Sequence, residues 1–305
     1  MHLLKVCATA SVAFAAVLQL NAQVLWSDNF SSYNTGSLDS NDGSGPNQAP
    51  NGGPGNPWWG PGAPNAYVLA STASGITPYP GDTHLISANT AGPYYGEDEV
   101  NLAHRFNGGN NFLGNISLSW AFYDPAGSGK NASGFQDFVI LGGYQSADGY
   151  TSTKDYTGSG EDLQSSYTAG DDLLCLGAYS GGNTSFYQVR VLNSSTPTQG
   201  ASLISGGWYN TTAARTVGWH TASIVLGAPN GANTPVSMYI DGTDVLDEVL
   251  GPSSMDALNS LIVDGAWGSQ YGAYDNFVLS QVPEPGPGVL LVLGGLSVLA
   301  LRRRK

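Results

Sequence analysis

The stretch Gly218-Trp219-His220-Thr221-Ala222-Ser223-Ile224-Val225-Leu226, followed by Val236-Ser237-Met238-Tyr239-Ile240-Asp241-Gly242, by Leu261-Ile262-Val263 and by Tyr274-Asp275-Asn276-Phe277-Val278-Leu279, decides the fold class of this chain. It reads as one strand, a loop of about ten residues, a second strand ending in an Asp-Gly turn, and closing strands. In the turn, Gly242 accepts a positive φ and Asp241 caps through its own carboxylate. Further toward the N-terminus, Asn115-Ile116-Ser117-Leu118-Ser119-Trp120-Ala121-Phe122-Tyr123 alternates cleanly, so 116, 118, 120 and 122 fall on one face and form core. Other strand candidates lie at 24–30, 66–70, 84–87, 99–106, 135–141, 173–179 and 186–192. Helix patterning is confined to one turn at 253–258, with Ser253 or Ser254 as N-cap. A dozen short strands without intervening helices predict an all-β domain of two packed antiparallel sheets.

The order of these strands resembles the concanavalin A-like lectin/glucanase jelly roll, in particular its laminin-G-like and pentraxin-like branch. There a Trp-His strand leads to a strand ending in Tyr-x-Asp-Gly, and a late Asp-Asn segment closes the sheet. The recognisable motifs run from Trp219 to Leu279, and before them the likeness is one of strand pattern. The resemblance implies carbohydrate or matrix binding. It makes Asp275 and Asn276 the site candidates, with Asp275 as a calcium ligand because some relatives bind calcium near such a strand. Trp219 and His220 read as strand residues, and a lone histidine there is structural.

The two ends of the chain carry a different message. Residues 1–22 combine Lys5, an apolar stretch from about Ala8 to Leu20 and the small Ala22, which is the pattern of a secretory signal peptide. At the other end, Val282-Pro283-Glu284-Pro285 fixes two φ angles and cannot be helical. Residues 286–301 follow as an apolar run, about 24 Å long as a helix against the ~30 Å of a hydrocarbon core. Arg302, Arg303, Arg304 and Lys305 end the chain and hold that end cytoplasmic. This tail, 282–305, resembles the PEP-CTERM sorting signal of Gram-negative envelope proteins. The resemblance implies an exosortase-type processing enzyme as partner, a transient membrane helix at 286–301, and release to the cell envelope or exterior. An ordinary C-terminal anchor with a Pro-rich stalk is the alternative.

Between the ends, 23–281 reads as one jelly-roll domain with no dividing linker. With Lys5 and the four basic tail residues set aside, five cationic side chains stand against 23 acidic ones, which excludes nucleic acid as a partner and suits a soluble exported protein. Cys7 leaves with the signal, so Cys175 in its apolar context is expected to be a buried small hydrophobe. The six Asn-x-Ser/Thr sequons are what a Ser/Thr/Asn-rich composition produces by chance.

Catalytic signatures are missing. The jelly-roll glucanases carry E-x-D-x-E or E-x-D-x-x-E on one strand, and the nearest approach here is Glu97-Asp98-Glu99, which lacks the third, properly spaced acid. Asp171-Asp172 would point to opposite faces of a strand. No G-x-S-x-G elbow is present, and His84, His104 and His220 have no short ligand spacing. The segment 40–64, rich in Gly, Pro and Asn, reads as a long loop bearing Trp58-Trp59. That pair would offer an exposed stacking platform for a sugar ring, or else fold inward and close the sandwich edge. Asp39-Ser40-Asn41-Asp42-Gly43 starts like a calcium loop but places Gly43 where a ligand is needed. The expectation is a non-catalytic exported module, without a cofactor other than calcium, that binds glycan or matrix through Trp58, Trp59, Asp275 and Asn276. The alternatives are a structural exopolysaccharide-associated protein and a divergent glycoside hydrolase or lyase. Outward Trp or Tyr residues beside Asp275 favour the first, and two carboxylates facing each other across a groove favour the last.

Overall fold

The computed structural model describes residues 23–37, 58–59, 66–71, 75–88, 96–101, 114–125, 137–142, 173–178, 185–191, 202–205, 208–228, 230, 234–250, 260–265 and 273–282. The expected signal segment, the sorting residues from Pro283 onward, the helical turn at 253–258, Asp39 to Gly43 and Asp171-Asp172 lie outside them. Among the described residues, no helix is long and apolar enough to cross a membrane.

Seventeen strands are described: β1 Gln23–Asp28, β2 Gly36–Ser37, β3 Trp58–Trp59, β4 Ala66–Leu69, β5 Leu85–Ala88, β6 Gly96–Asn101, β7 Ile116–Asp124, β8 Asp137–Gly142 and β9 Leu173–Ala178, then β10 Phe186–Val191, β11 Ser202–Ser205, β12 Trp208–Ala214, β13 Gly218–Leu226, β14 Thr234–Ile240, β15 Thr243–Leu250, β16 Ser260–Gly265 and β17 Ala273–Gln281. They form two sheets. The first runs β15-β14-β13-β7-β17-β5-β4-β2, with β1 also paired to β17, and the second runs β11-β12-β10-β9-β8-β16-β6-β3. The strand pairs are antiparallel, as the alternation predicted.

The core lies between the sheets. Ile116, Leu118, Trp120 and Phe122 of β7 point inward as expected, and Ala222, Ile224 and Leu226 of β13 stand beside them. The second sheet answers with Val139 and Leu141, Leu174 and Leu176, Tyr187, Val189 and Val191, and Leu261 and Val263. Cys175 is buried, as its context implied.

Of the three register slips in the first sheet, one lies between Val24 and Trp26 of β1 and two others reshape the core. Between Met238 and Tyr239 of β14 the register to β15 slips by one residue, so Val245 and Leu246 are both buried. This explains why β15 is absent from the strands expected from sequence: its period-2 pattern is interrupted in the middle. A second slip lies in β17 between Asp275 and Val278, where Asn276 takes a left-handed φ of 51°. Tyr274 and Phe277 thereby both enter the core, and Asp275 is left on the outer face.

The segment 40–64 is not wholly a loop, because Trp58–Trp59 form β3 and pair with Val100 and Glu99 of β6. Likewise β6 begins at Gly96, ahead of the expected Glu99. The first and last strands of the domain pair with each other, Gln23 opposite Gln281.

Candidate functional site

Trp58, expected either as half of an exposed platform or folded inward at the sandwich edge, takes the second course and is a core residue, 1% exposed. Its ring packs against Trp26, Phe30 and Phe277 at centroid distances of 6.0, 5.8 and 5.7 Å. Its indole N–H donates to Asp28 Oδ2 at 3.0 Å. That carboxylate points inward from β1 and also accepts the Tyr33 hydroxyl at 2.8 Å and the Phe30 N–H at 2.9 Å. A buried carboxylate needs several donors, and the indole N–H is one of them, so Trp58 is drawn inward rather than left for a ligand. Trp59 lies opposite Glu99 in register, and its side chain is outside the described residues.

Asp275 also departs from its expected role. It is 0% exposed, and each of its oxygens accepts a backbone N–H: Oδ1 from Asn276 at 2.8 Å and Oδ2 from Tyr79 at 3.0 Å. Burial raises its pKa, the two N–H donors oppose that, and the charges of Asp82 and Asp28 add to it, leaving the group at about 7. Calcium requires six to eight converging oxygens. Both oxygens of Asp275 instead face backbone N–H donors, and among the described residues no three His, Cys, Asp or Glu side chains gather to hold a metal. Asn276, in the bulge, is exposed.

What Asp275 does hold is the segment 75–84, which crosses the outer face of the first sheet. Ile76 packs with Leu85 and Ala273 as a small separate core. Trp219 Nε1 donates to the Thr77 carbonyl at 3.1 Å, Thr83 N to Ser31 Oγ at 3.2 Å, and Asn29 Nδ2 to Asp82 Oδ1 at 2.7 Å. The consequence is an aromatic trio. Tyr79 meets Trp219 edge to face at 5.6 Å and Tyr123 meets Trp219 in the same way at 5.7 Å, with all three rings half-buried. Trp219 and Tyr123 are register partners on β13 and β7, and Tyr123 lies opposite Ala273 two residues before Asp275. In the sequence Trp219 looks like an ordinary strand residue. Odd positions on β7 and β13 are the available signal, since the core face takes the even ones.

Inside the sandwich, a polar network joins the sheets. Arg215 and Asp124, each 1% exposed, form a two-bond ion pair, Nε to Oδ2 at 2.8 Å and Nη2 to Oδ1 at 3.0 Å. Tyr187 packs edge to face on Phe122 at 5.4 Å, and burial, followed by the Asp124 charge, pushes its hydroxyl above the usual phenol range. His220 lies between Phe122 and Tyr187. Its Nδ1 meets Asp241 Oδ2 at 2.7 Å and its Nε2 meets the Thr216 carbonyl at 2.9 Å, so the histidine is structural, as expected.

One carboxyl pair is brought together by the β15 bulge. The pKa of Asp244 is raised by burial and then by the neighbouring Asp247, while Ser237 Oγ donates to Asp247 Oδ1 at 2.6 Å. Glu97, Asp98 and Glu99 lie on β6 opposite Asp264, Val263 and Ile262 of β16.

No family model matches the chain, and no curated protein matches it. Similar solved structures include a protein of unknown function with a galectin-like fold from Bacillus subtilis, 12% identical over 65% of this chain and 82% of that one, TM-score 0.38. Lectin II from Ulex europaeus is 11% identical over 84% of this chain and 98% of its own, TM-score 0.41. An alginate lyase is 16% identical over 85% of this chain and 96% of its own, TM-score 0.41.

Proposed function

We propose that this is an exported, non-catalytic glycan-binding module of the concanavalin A-like type, whose site is the outer face of the first sheet at Trp219. The observation that carries the reading is the aromatic trio Tyr79, Trp219 and Tyr123 beside Asp275, with exposed Asn276 and the Asp82 carboxylate at its margin. A pyranose has an apolar face that rests against such rings, and amide and carboxylate oxygens at the margin accept its hydroxyl hydrogens.

The ligand class follows from charge. Of the two cations among the described residues, Arg215 is buried with Asp124, and Arg190 lies opposite Cys175 and Trp208 in the other sheet. Asp82 N–H bonds the Tyr79 carbonyl and Asp241 bonds Thr221, two residues from Trp219, so two carboxylates lie near the trio, an uncharged glycan fits and a uronate or sulfated polymer is repelled. The termini complete the proposal: residues 1–22 direct export, and an exosortase-type enzyme processes the tail at Pro283, Glu284 and Pro285.

The test is a glycan panel screened with the full chain, containing neutral, uronate and sulfated polymers. Binding of a neutral glycan, weakened at least tenfold by Trp219→Ala, is the expected result, and absence of binding to every glycan would overturn the reading. For the tail, Glu284→Gln is expected to leave the C-terminal segment attached, and normal processing of that variant refutes the sorting assignment.

A further inference from the structure

We propose that residues 75–84 form a strap over Trp219 which Asp275 fastens in acid and loosens in alkali. Its bearing on ligand access rests on the glycan reading above; the opening itself does not.

The strap touches the sheet through few bonds, of which Tyr79 N–H to Asp275 Oδ2 is its tie to the central strand β17. Positive-φ glycines lie at its start and toward its end, Gly75 at 82° and Gly81 at 107°, each with open space where a side chain would be. Such residues swing without steric cost. When the strap is closed, Tyr79 packs on Trp219 and the Thr77 carbonyl takes its indole N–H. When it is open, both contacts are lost and the indole faces solvent.

The electrostatics decide the direction. The groups facing Asp275 are Tyr79 and Asp82 from the strap and Asp28 from β1, with Tyr123 alongside from β7, whereas β5 presents Ser87. No cation bonds Asp275 among the described residues. With the strap closed, the carboxyl is out of water among negative neighbours and holds its proton up to about pH 7. Opening returns it to water, where an aspartate keeps its ordinary acidity. The closed form therefore binds the proton more tightly, and by linkage closure weakens as pH climbs from about 4 to about 7, then levels off. The two N–H donors favour the carboxylate but do not reverse this, since burial is the larger effect.

Hydrogen exchange read by mass spectrometry on the full chain, corrected for the intrinsic pH dependence of exchange, tests the strap without any ligand. Peptides covering 75–84 are expected to open at least tenfold more readily at pH 8 than at pH 5, relative to peptides from β7. Asp275→Asn is expected to abolish that difference. A flat profile, a slope of opposite sign, or an unchanged slope in the variant would each overturn the proposal. Should the variant fail to fold, the wild type decides alone: equal movement of the strap and β7 peptides refutes a local strap. If the strap opens as described and no glycan binds, the glycan reading alone fails; if a glycan binds and the profile is flat, the strap alone fails.

Discussion

Asp124 and Asp275 stand on adjacent strands of one sheet, 1% and 0% exposed, yet the protein accommodates them in opposite ways. Asp124 points into the sandwich, where Arg215 supplies both a countercharge and two donors in a planar fork. Asp275 points outward beneath the 75–84 segment and, among the described residues, receives two backbone N–H groups and no cation. Hydrogen bonds satisfy the oxygens in both places, but only the first site neutralises the charge. A buried carboxylate is thus held fast by compensation of charge, and donors alone leave it responsive to protons. Asp28 is intermediate in design, with three neutral donors from Trp58, Tyr33 and the Phe30 backbone.

The largest effect is expected from breaking the compensated site. Arg215→Met leaves Asp124 buried and unneutralised, which should lower unfolding free energy by about 3–5 kcal/mol in urea titrations at neutral pH, whereas pairing it with Asp124→Leu should recover most of the loss. Retention of wild-type stability by the single variant would mean that the pair contributes nothing. Next comes the uncompensated site. Because the folded-state pKa of Asp275 lies above its ordinary value, stability is fully present below about pH 4 and lost as pH rises to about 7, on the order of 4 kcal/mol. Asp275→Asn should flatten that part of the stability-pH curve measured by thermal unfolding; an identical slope would assign it to other groups.

Two smaller effects concern the donors of Asp28 and the bulge beside Asp275. Trp58→Phe keeps an aromatic ring but removes one donor to Asp28, which should cost about 1–3 kcal/mol in urea titrations. Asn276→Ala should cost about 1 kcal/mol by the same measurement, because a side chain without a local hydrogen bond is strained at φ 51°, and Asn276→Gly should be nearly neutral.

Much of the fold was legible because alternation survives wherever a strand faces one core. Positions 116 to 122 and 220 to 226 show it directly. The bulge at Val245 hid β15, and the Thr- and Ala-rich β12 offered little alternation to read. For the site, the sequence pointed to Asp275 and its neighbourhood but not to its chemistry. Whether Asp275 faces a cation, a metal or a backbone N–H depends on Tyr79, 196 residues away in the chain. The choice between the two courses open to Trp58 was hidden for the same reason, since Asp28 lies thirty residues before it. The trio was unreadable because Trp219 gains its neighbours from β7 and from a loop, neither of them adjacent in sequence.

The pairing of Gln23 with Gln281 bears on the order in which the chain folds. Strand β17 is the last of the described strands to be synthesised, yet it lies in the middle of its sheet, bonded to β7 on one side and to β1 and β5 on the other. Until residues 273–281 emerge from the ribosome, the first sheet is split into three unjoined parts: β15-β14-β13-β7, β5-β4-β2 and β1. A nascent chain of this topology stays open through nearly all of its synthesis and closes late, across its longest loop. Such a delay keeps the polypeptide threadable for as long as it is being made.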